Sequence, residues 1–407
     1  MSPRADILCN QGFMQRRPIQ GRADMSRVSI IRGRESPDSE DVYEMVREAV
    51  GLVGGLDDLV DEGKVVALKP NAVTGKLSGP GVTTDPRVME ALISLSFEAG
   101  AGEVIVVEGS GYGSPTPEAL ELSGMKKVAE RNGAELVDVD ADEVVEVEVP
   151  DPLILGRIPV SRRFYEADVR VNVPVMKTHD QMLVTLGMKN LKGVIQKPQK
   201  RLFHRIGLAK AIVDLNRAVP LDLTVVDAIH AMEGLGPSFG EIVEMDLVMA
   251  GRDVYSLDVV GARVMGVEPE ELEYLKLAAE LGLVDLSGSG IEVVGEPVSA
   301  VARSFKRPPM ELSPQEGITI IEKGACSACR GTIRSVFYDL ERMVKMGEIR
   351  DLVMLVGPQA EIPDDIKQRP LVMGICLQHL KDEGRYVVGC PPNNDKMLEA
   401  IRELTGI

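Results

Sequence analysis

The chain has 407 residues, with 46 Lys and Arg against 63 Asp and Glu, and a formal net charge of −17 at pH 7. That length has room for two or three domains around well-buried cores. The acidic balance, the 3% aromatic content and the lack of Trp exclude a general nucleic-acid or anionic-membrane binder, which needs clustered cations and stacking rings.

No apolar run reaches the ~18 residues of a membrane span and no apolar signal core opens the chain, so a soluble, cytoplasmic protein without a membrane partner is expected. Residues Met1 to Asp24 are polar and aperiodic and read as a disordered tail; Cys9 lies in it and is not expected to be a ligand. The pattern then changes to strand (Val28 to Ile31), helix (Asp41 to Val53) and strand (Lys64 to Lys69). Asp85 and Pro86 open a helix that ends near Gly100, followed by strand Glu103 to Val107, a glycine loop, a helix Pro117 to Asn132 and strand Ala134 to Val139. Val144 to Pro159, broken by prolines, reads as short strands and loops. Strand Asp168 to Val173, helix Leu208 to Ala218, strands Leu221 to Val226 and Met245 to Ala250, helices Asp253 to Met265 and Pro269 to Leu281, and strand Ile291 to Val294 continue the alternation. It predicts an α/β fold of mostly parallel sheets with helices on both faces. This domain takes residues 25–298; residues 299–317, polar and rich in proline, read as a linker to a last domain, 318–407.

The polar residues of the larger domain concentrate at strand ends. Between Lys177 and Arg205 there are seven Lys or Arg and one acid, Asp180, a local reversal of charge that suits a phosphate or carboxylate as well as a basic face paired with the acidic remainder. Lys177 and His179 are expected to project from a sheet edge, with Lys189, Asn190 and Lys192 close by. Three of the four histidines, His179, His204 and His230, fall in this region, which favours proton transfer. Asp227, His230 and Glu233 are expected to share a strand-end loop. Lys69 and Asn71 end one strand, and Gly109, Ser110 and Gly111 follow the next, where glycines let backbone N–H groups approach an anion. The glycine string matches neither the dinucleotide fingerprint nor the P-loop, and a plain tight turn explains it equally well.

Four of the five cysteines lie in the last quarter, as Cys326-Ser327-Ala328-Cys329, Gly374-Ile375-Cys376 and Gly389-Cys390-Pro391-Pro392. The first pair precedes a helical pattern, Ile333 to Met343, whose N-terminus offsets thiolate charge. Cys376 and Cys390 each follow an apolar run, hence the carboxyl ends of buried strands, where open α/β sheets collect ligands. An all-cysteine set suits an iron–sulfur cluster or zinc, and a large chain with few cysteines does not look like a disulfide scaffold. His379, three residues after Cys376, is expected to face solvent.

The order Cys-x-x-Cys, Gly-x-Cys, Gly-Cys-Pro-Pro resembles the proximal 4Fe-4S motif of nickel–iron hydrogenase small subunits and the related complex I subunit. That resemblance implies a flavodoxin-like domain from Ile318 onward, with Cys326, Cys329, Cys376 and Cys390 holding a 4Fe-4S cluster. Separately, Lys69-Pro70-Asn71, Glu108-Gly109-Ser110, the Val171 to His179 stretch, Lys189-Asn190-Leu191-Lys192-Gly193 and Asp227-Ala228-Ile229 together resemble the domain of unknown function 362 family over about Val65 to Val260. Many of its members are iron–sulfur proteins through ferredoxin-type cysteine repeats, which this sequence lacks.

The function expected from these readings is that of a cytoplasmic iron–sulfur oxidoreductase or electron-transfer protein acting on an anionic small molecule. Lys177, His179, His230 and Asp227 are its expected catalytic residues. Lys69, Asn71, Gly109, Ser110, Gly111, Lys189, Asn190 and Lys192 are its expected anion-binding residues. The alternatives are a non-redox lyase or isomerase with a structural cluster, and a zinc-binding assembly module. A surface cluster implies an electron-transfer partner, and no pattern calls for a flavin.

Overall fold

A computed structural model describes residues 25–74, 79–111, 114–308, 317–343 and 349–406. The expected tail with Cys9 and the middle of the expected linker lie outside them.

The first elements are β1 (Ser26–Arg32), α1 (Ser39–Leu52), β2 (Val65–Lys69), α2 (Pro86–Glu98) and β3 (Glu103–Glu108). The Asp38 carboxylate caps α1 by accepting the N–H groups of Glu40 and Asp41, and Asp41 returns the bond to the Asp38 N–H. Asp85 caps α2 by accepting the Arg87 N–H, with Pro86 in the first turn, where its missing N–H costs nothing. The single helix expected from Pro117 to Asn132 is two: α3 (Thr116–Leu122) and α4 (Met125–Arg131). Gly124 breaks it with φ +79°, and a Cβ there would press within 3.2 Å of the Pro86 ring.

After β4 (Glu135–Asp138), the proline-rich stretch forms an antiparallel pair, β5 (Val144–Glu148) and β6 (Arg157–Ser161), leading through α5 (Arg162–Glu166) to β7 (Val169–Asn172). Then come β8 (Val175–His179), β9 (Leu183–Thr185), α6 (Gly187–Asn190), a 3-10 turn (Leu191–Val194), α7 (Lys197–Ile206) and α8 (Leu208–Ala218). The domain continues with β10 (Leu223–Glu233), β11 (Glu241–Gly251), α9 (Val254–Val264), α10 (Glu273–Glu280), β12 (Ile291–Gly295) and α11 (Val298–Val301).

These strands form one ten-stranded sheet in the order β12-β1-β11-β10-β7-β2-β3-β4, with β8 added on β10 and β9 on β8. Pairing is parallel from β10 through β7, β2 and β3 to β4, whereas β11 runs antiparallel to both β1 and β10. Successive strand residues alternate between two buried apolar clusters. Val66, Leu68, Val104 and Val106 face α1, α2 and α4, while Ala67, Ile105 and Val107 face the cluster that includes α8, α9 and α10. Burial on both faces is why these strands read as unbroken apolar runs.

The last domain has its own four-stranded parallel sheet, β13 (Ile318–Glu322), β14 (Leu352–Val356), β15 (Leu371–Met373) and β16 (Arg385–Val387), paired in chain order. The two helices α12 (Ser327–Met343) and α13 (Asn394–Thr405) cover one face. A 3-10 turn (Ile375–Leu380) follows β15 and carries Cys376, with His379 exposed on it as expected.

Candidate functional site

The carboxyl ends of β2, β3 and β8 meet the carboxyl edge of the small sheet around one cavity of about 300 Å³. Its walls come from both domains: Lys69, Asn71 and Glu108 from the large sheet, Lys189 and Lys192 from the segment after β9, and Cys326 and Cys390 from the cysteine domain. The segment Leu235 to Phe239 supplies an apolar side.

Beneath the cavity lies a fully bonded polar floor. Lys69 Nζ donates to Glu108 Oε2 at 2.7 Å and to Pro70 O at 2.6 Å, both side chains being almost wholly buried. Glu108 also accepts the N–H groups of Gly109 (2.8 Å) and Ala72 (3.3 Å). Burial alone pushes the Lys69 pKa down, and the Glu108 charge opposes it. Three asparagines form a chain: Asn71 Nδ2 donates to Asn190 Oδ1 (2.7 Å), Asn190 Nδ2 to Asn172 Oδ1 (2.9 Å), and Asn172 Nδ2 to Gly187 O (2.9 Å).

Several expected roles change on this geometry. Lys177 does not project from an edge. It lies inside β8, flanked by β9 and β10, and its Nζ donates to Asn71 Oδ1 (2.9 Å) and Val82 O (2.6 Å), so it braces the floor without lining the cavity. Gly109, Ser110 and Gly111 do line it, but their N–H groups are taken: Gly109 N–H bonds Gly193 O (2.9 Å), Ser110 N–H bonds Thr116 Oγ1 (3.0 Å) and Gly111 N–H bonds Val73 O (2.7 Å). Among the described residues of the loop, these N–H groups are therefore spent on close packing and do not cradle an anion. Asp227, His230 and Glu233 share no loop, since β10 runs through all three. Asp227 accepts the N–H groups of Asp85 (2.7 Å) and Ile229 (3.1 Å), holding the start of α2, and neither Asp227 nor His230 lines the cavity. Burial and the nearby Asp85 charge raise the Asp227 carboxyl to about 7.

The cations that do face the cavity are weakly held as cations. Lys189 is half-buried and, among the described residues, makes no hydrogen bond or ion pair; burial lowers its pKa to about 8, against the pull of Asp180. Lys192 Nζ lies 2.6 Å from His204 Nε2, and His204 Nδ1 lies 2.8 Å from Ser327 Oγ, which joins the lysine to the turn between Cys326 and Cys329. Burial and the neighbouring lysines push His204 well below 6.5, so it is neutral. Lys192 is then the donor to Nε2, and the ring N–H at Nδ1 donates to Ser327. Lys200, absent from the expected set, clamps the glycine loop by donating to Gly109 O (2.5 Å) and Ser110 O (3.0 Å); burial lowers it to about 8.

His179 lines the cavity, and burial brings its pKa to about 4. Its Nδ1 accepts the Gln181 N–H at 3.0 Å, so the proton sits on Nε2 and Nδ1 cannot also donate to Asp180 Oδ1, 3.1 Å away. Asp180 Oδ1 is thereby left without a hydrogen bond, as are Gln181 Oε1 and Thr185 Oγ1 on the same wall.

The four C-terminal cysteines are free thiols at three strand ends. The Cys329 thiol donates to Cys326, and the backbone N–H groups of Cys329 and Ala328 also point at that sulfur, which brings Cys326 to about 6 and pushes Cys329 up. Cys329 lies within electrostatic reach of Cys376 and Cys390. Cys390 is raised by burial and by Cys326 and Cys376, with Arg201 and Arg205 acting in the opposite direction. Gly374 N–H bonds Val387 O and Ile375 N–H bonds Gly389 O, both at 2.9 Å, tying the turn of Cys376 to the loop of Cys390. Among the described residues, no three His, Cys, Asp or Glu are gathered closely enough to hold a single metal ion.

Residues 66–263 match the family described as domain of unknown function (DUF362). The DUF362 match covers the floor, Lys189, Lys192, His179 and His204, and it ends before the cysteine domain. A thylakoid-associated protein of Synechocystis sp. is 29% identical over 295 residues, 69% of this chain and 87% of that protein. Two solved structures align at 14% identity: the lactate racemase apoprotein of Thermoanaerobacterium thermosaccharolyticum (TM-score 0.39, 94% of this chain and 81% of that one) and a protein from Thermotoga maritima (TM-score 0.38, 80% and 71%). Likenesses this loose carry no argument about the site. Among the described residues, no helix is long and apolar enough to cross a membrane.

Proposed function

We propose that the protein is an iron–sulfur redox protein in which a 4Fe-4S cluster on Cys326, Cys329, Cys376 and Cys390 serves a pocket for a small anion. The observation that carries this reading is that Cys326 and Cys390 line the same cavity as Lys189 and Lys192. A ligand held there lies beside the cysteine turn, a placement that favours electron exchange with an anion over a purely structural cluster.

The donor set fits the group. Structural zinc sites are usually built from two Cys-x-x-Cys knuckles, whereas here Cys376 and Cys390 follow two separate strands. In a four-iron cluster each iron takes its own cysteine, so the sulfurs stand further apart, which suits three separate strand ends. When bound, the cluster would supply one-electron chemistry. The chain's own part is to attract the anion through Lys189, orient it with Lys192, and hold a neutral His179 whose Nε2 carries a proton.

Anaerobic purification with iron and sulfide analysis, followed by electron paramagnetic resonance of the reduced protein, tests the proposal. Iron and sulfide in the ratio of a 4Fe-4S cluster, with a spectrum that appears on reduction, are expected. A zinc-loaded, redox-silent protein would overturn it, and a bound cluster that never changes oxidation state would move the reading to a lyase or isomerase. Exchange with an electron-transfer partner is part of the same proposal.

A further inference from the structure

The buried polar groups around the cavity divide into two sets. On the floor every side chain is bonded: Lys69 to Glu108, Lys177 to Asn71, the three asparagines to one another, and Lys200 to the glycine loop. On one wall the opposite holds. Asp180 (5% exposed) and Thr185 (1% exposed) line the cavity with Oδ1 and Oγ1 unpartnered, and Gln181 Oε1 beside them is unpartnered as well. Buried polar atoms are almost always satisfied, so three orphans on one wall of one cavity point to a ligand and not to a packing flaw.

Their chemistry specifies that ligand further. An ionised carboxylate only accepts, so Asp180 Oδ1 needs a donor, and the Thr185 hydroxyl can give or take. A plain anion would set its own charge against Asp180. The Lys189 ammonium lines the same cavity with no partner among the described residues, and Asp180 acts on it electrostatically without an ion-pair contact. A cavity of about 300 Å³ suits a small ligand.

We infer that the cavity takes a small carboxylate or phosphate that also carries a hydroxyl or ammonium group, its anionic end on Lys189 and its donor group on Asp180 and Thr185. This rests on the anion-pocket reading above and adds the second, donor-bearing end.

Matched probes test it on the cluster-loaded protein by titration calorimetry: succinate against malate and aspartate, and propyl phosphate against glycerol 3-phosphate. In at least one series the donor-bearing probe is expected to bind at least about tenfold more tightly than its plain partner, the value of a hydrogen bond to a charged group. Thr185→Val and Asp180→Asn should narrow that ratio several-fold while leaving affinity for the plain anion in place or improved. If the plain anions bind and the added donor gains nothing in either series, the inference fails and the anion pocket stands. If no probe in either series binds, the anion pocket itself fails, and the inference with it.

Discussion

Lys189 offers a test in which the sign of the effect is set by burial. Its pKa of about 8, against an ordinary 10.5, corresponds to about 3 kcal/mol of disfavoured charge at neutral pH. Because the side chain is half-buried, solvent screening leaves about 2 kcal/mol of this. Below pH 8 the folded and unfolded chains both carry the proton and the cost is present in full. Between pH 8 and 10.5 the folded chain loses its proton first, the unfolded state binds more protons, and stability from this group rises with pH. Lys189→Met is therefore expected to be more stable than wild type by about 2 kcal/mol in urea unfolding at pH 7, and by well under about 1 kcal/mol at pH 10. The same substitution should abolish the stabilisation that added phosphate or malate gives the wild type. A variant no more stable than wild type at pH 7, or a gap unchanged at pH 10, would refute the reasoning.

Lys69→Met leaves the Glu108 charge buried alone and should cost about 3–5 kcal/mol in unfolding free energy, most of it recovered in Lys69→Met/Glu108→Gln. Asn190→Leu breaks two links of the asparagine chain and should cost about 1–3 kcal/mol, read as a lowered melting temperature, with weaker anion binding. Cys376→Ser and Cys390→Ala should lose most of the bound iron measured after anaerobic purification, whereas Cys9→Ser should retain it; retention of a full complement by either of the first two would remove that residue from the ligand set.

How far the sequence reveals this architecture depends on where each residue's partners come from. The α/β alternation and the strand-end positions of Lys69, Cys376 and Cys390 are local properties: apolar runs, caps and glycines show them directly. Lys177 misleads because a lysine following Val173-Pro174-Val175-Met176 looks like the end of a strand. Only Asn71 and Val82, from the segment between β2 and α2 far earlier in the chain, supply the amide and carbonyl that let an ammonium stay inside, while β9 and β10 close its flanks. Asp227 and His230 mislead in the same manner, as weak strand formers kept in β10 by pairing with β11. The wall of Asp180, Gln181 and Thr185 carries no motif. What marks it is the lack of partners, which no spacing encodes, although the lone acid in the basic stretch was a signal in the case of Asp180. Helix α7 was hidden by its many charges, yet it places Lys200 and His204.

The contacts from His204 to Ser327 and from Arg334 to the Asp180 carbonyl (2.8 Å) mean that the cysteine turn and the cavity wall share their supports. Anything that stiffens Cys326 to Cys329 also fixes the shape that a ligand meets, and thermodynamic reciprocity then obliges the ligand to stiffen the turn in return. Loading of the thiols and occupancy of the cavity should therefore rise and fall together, each legible in the other's titration.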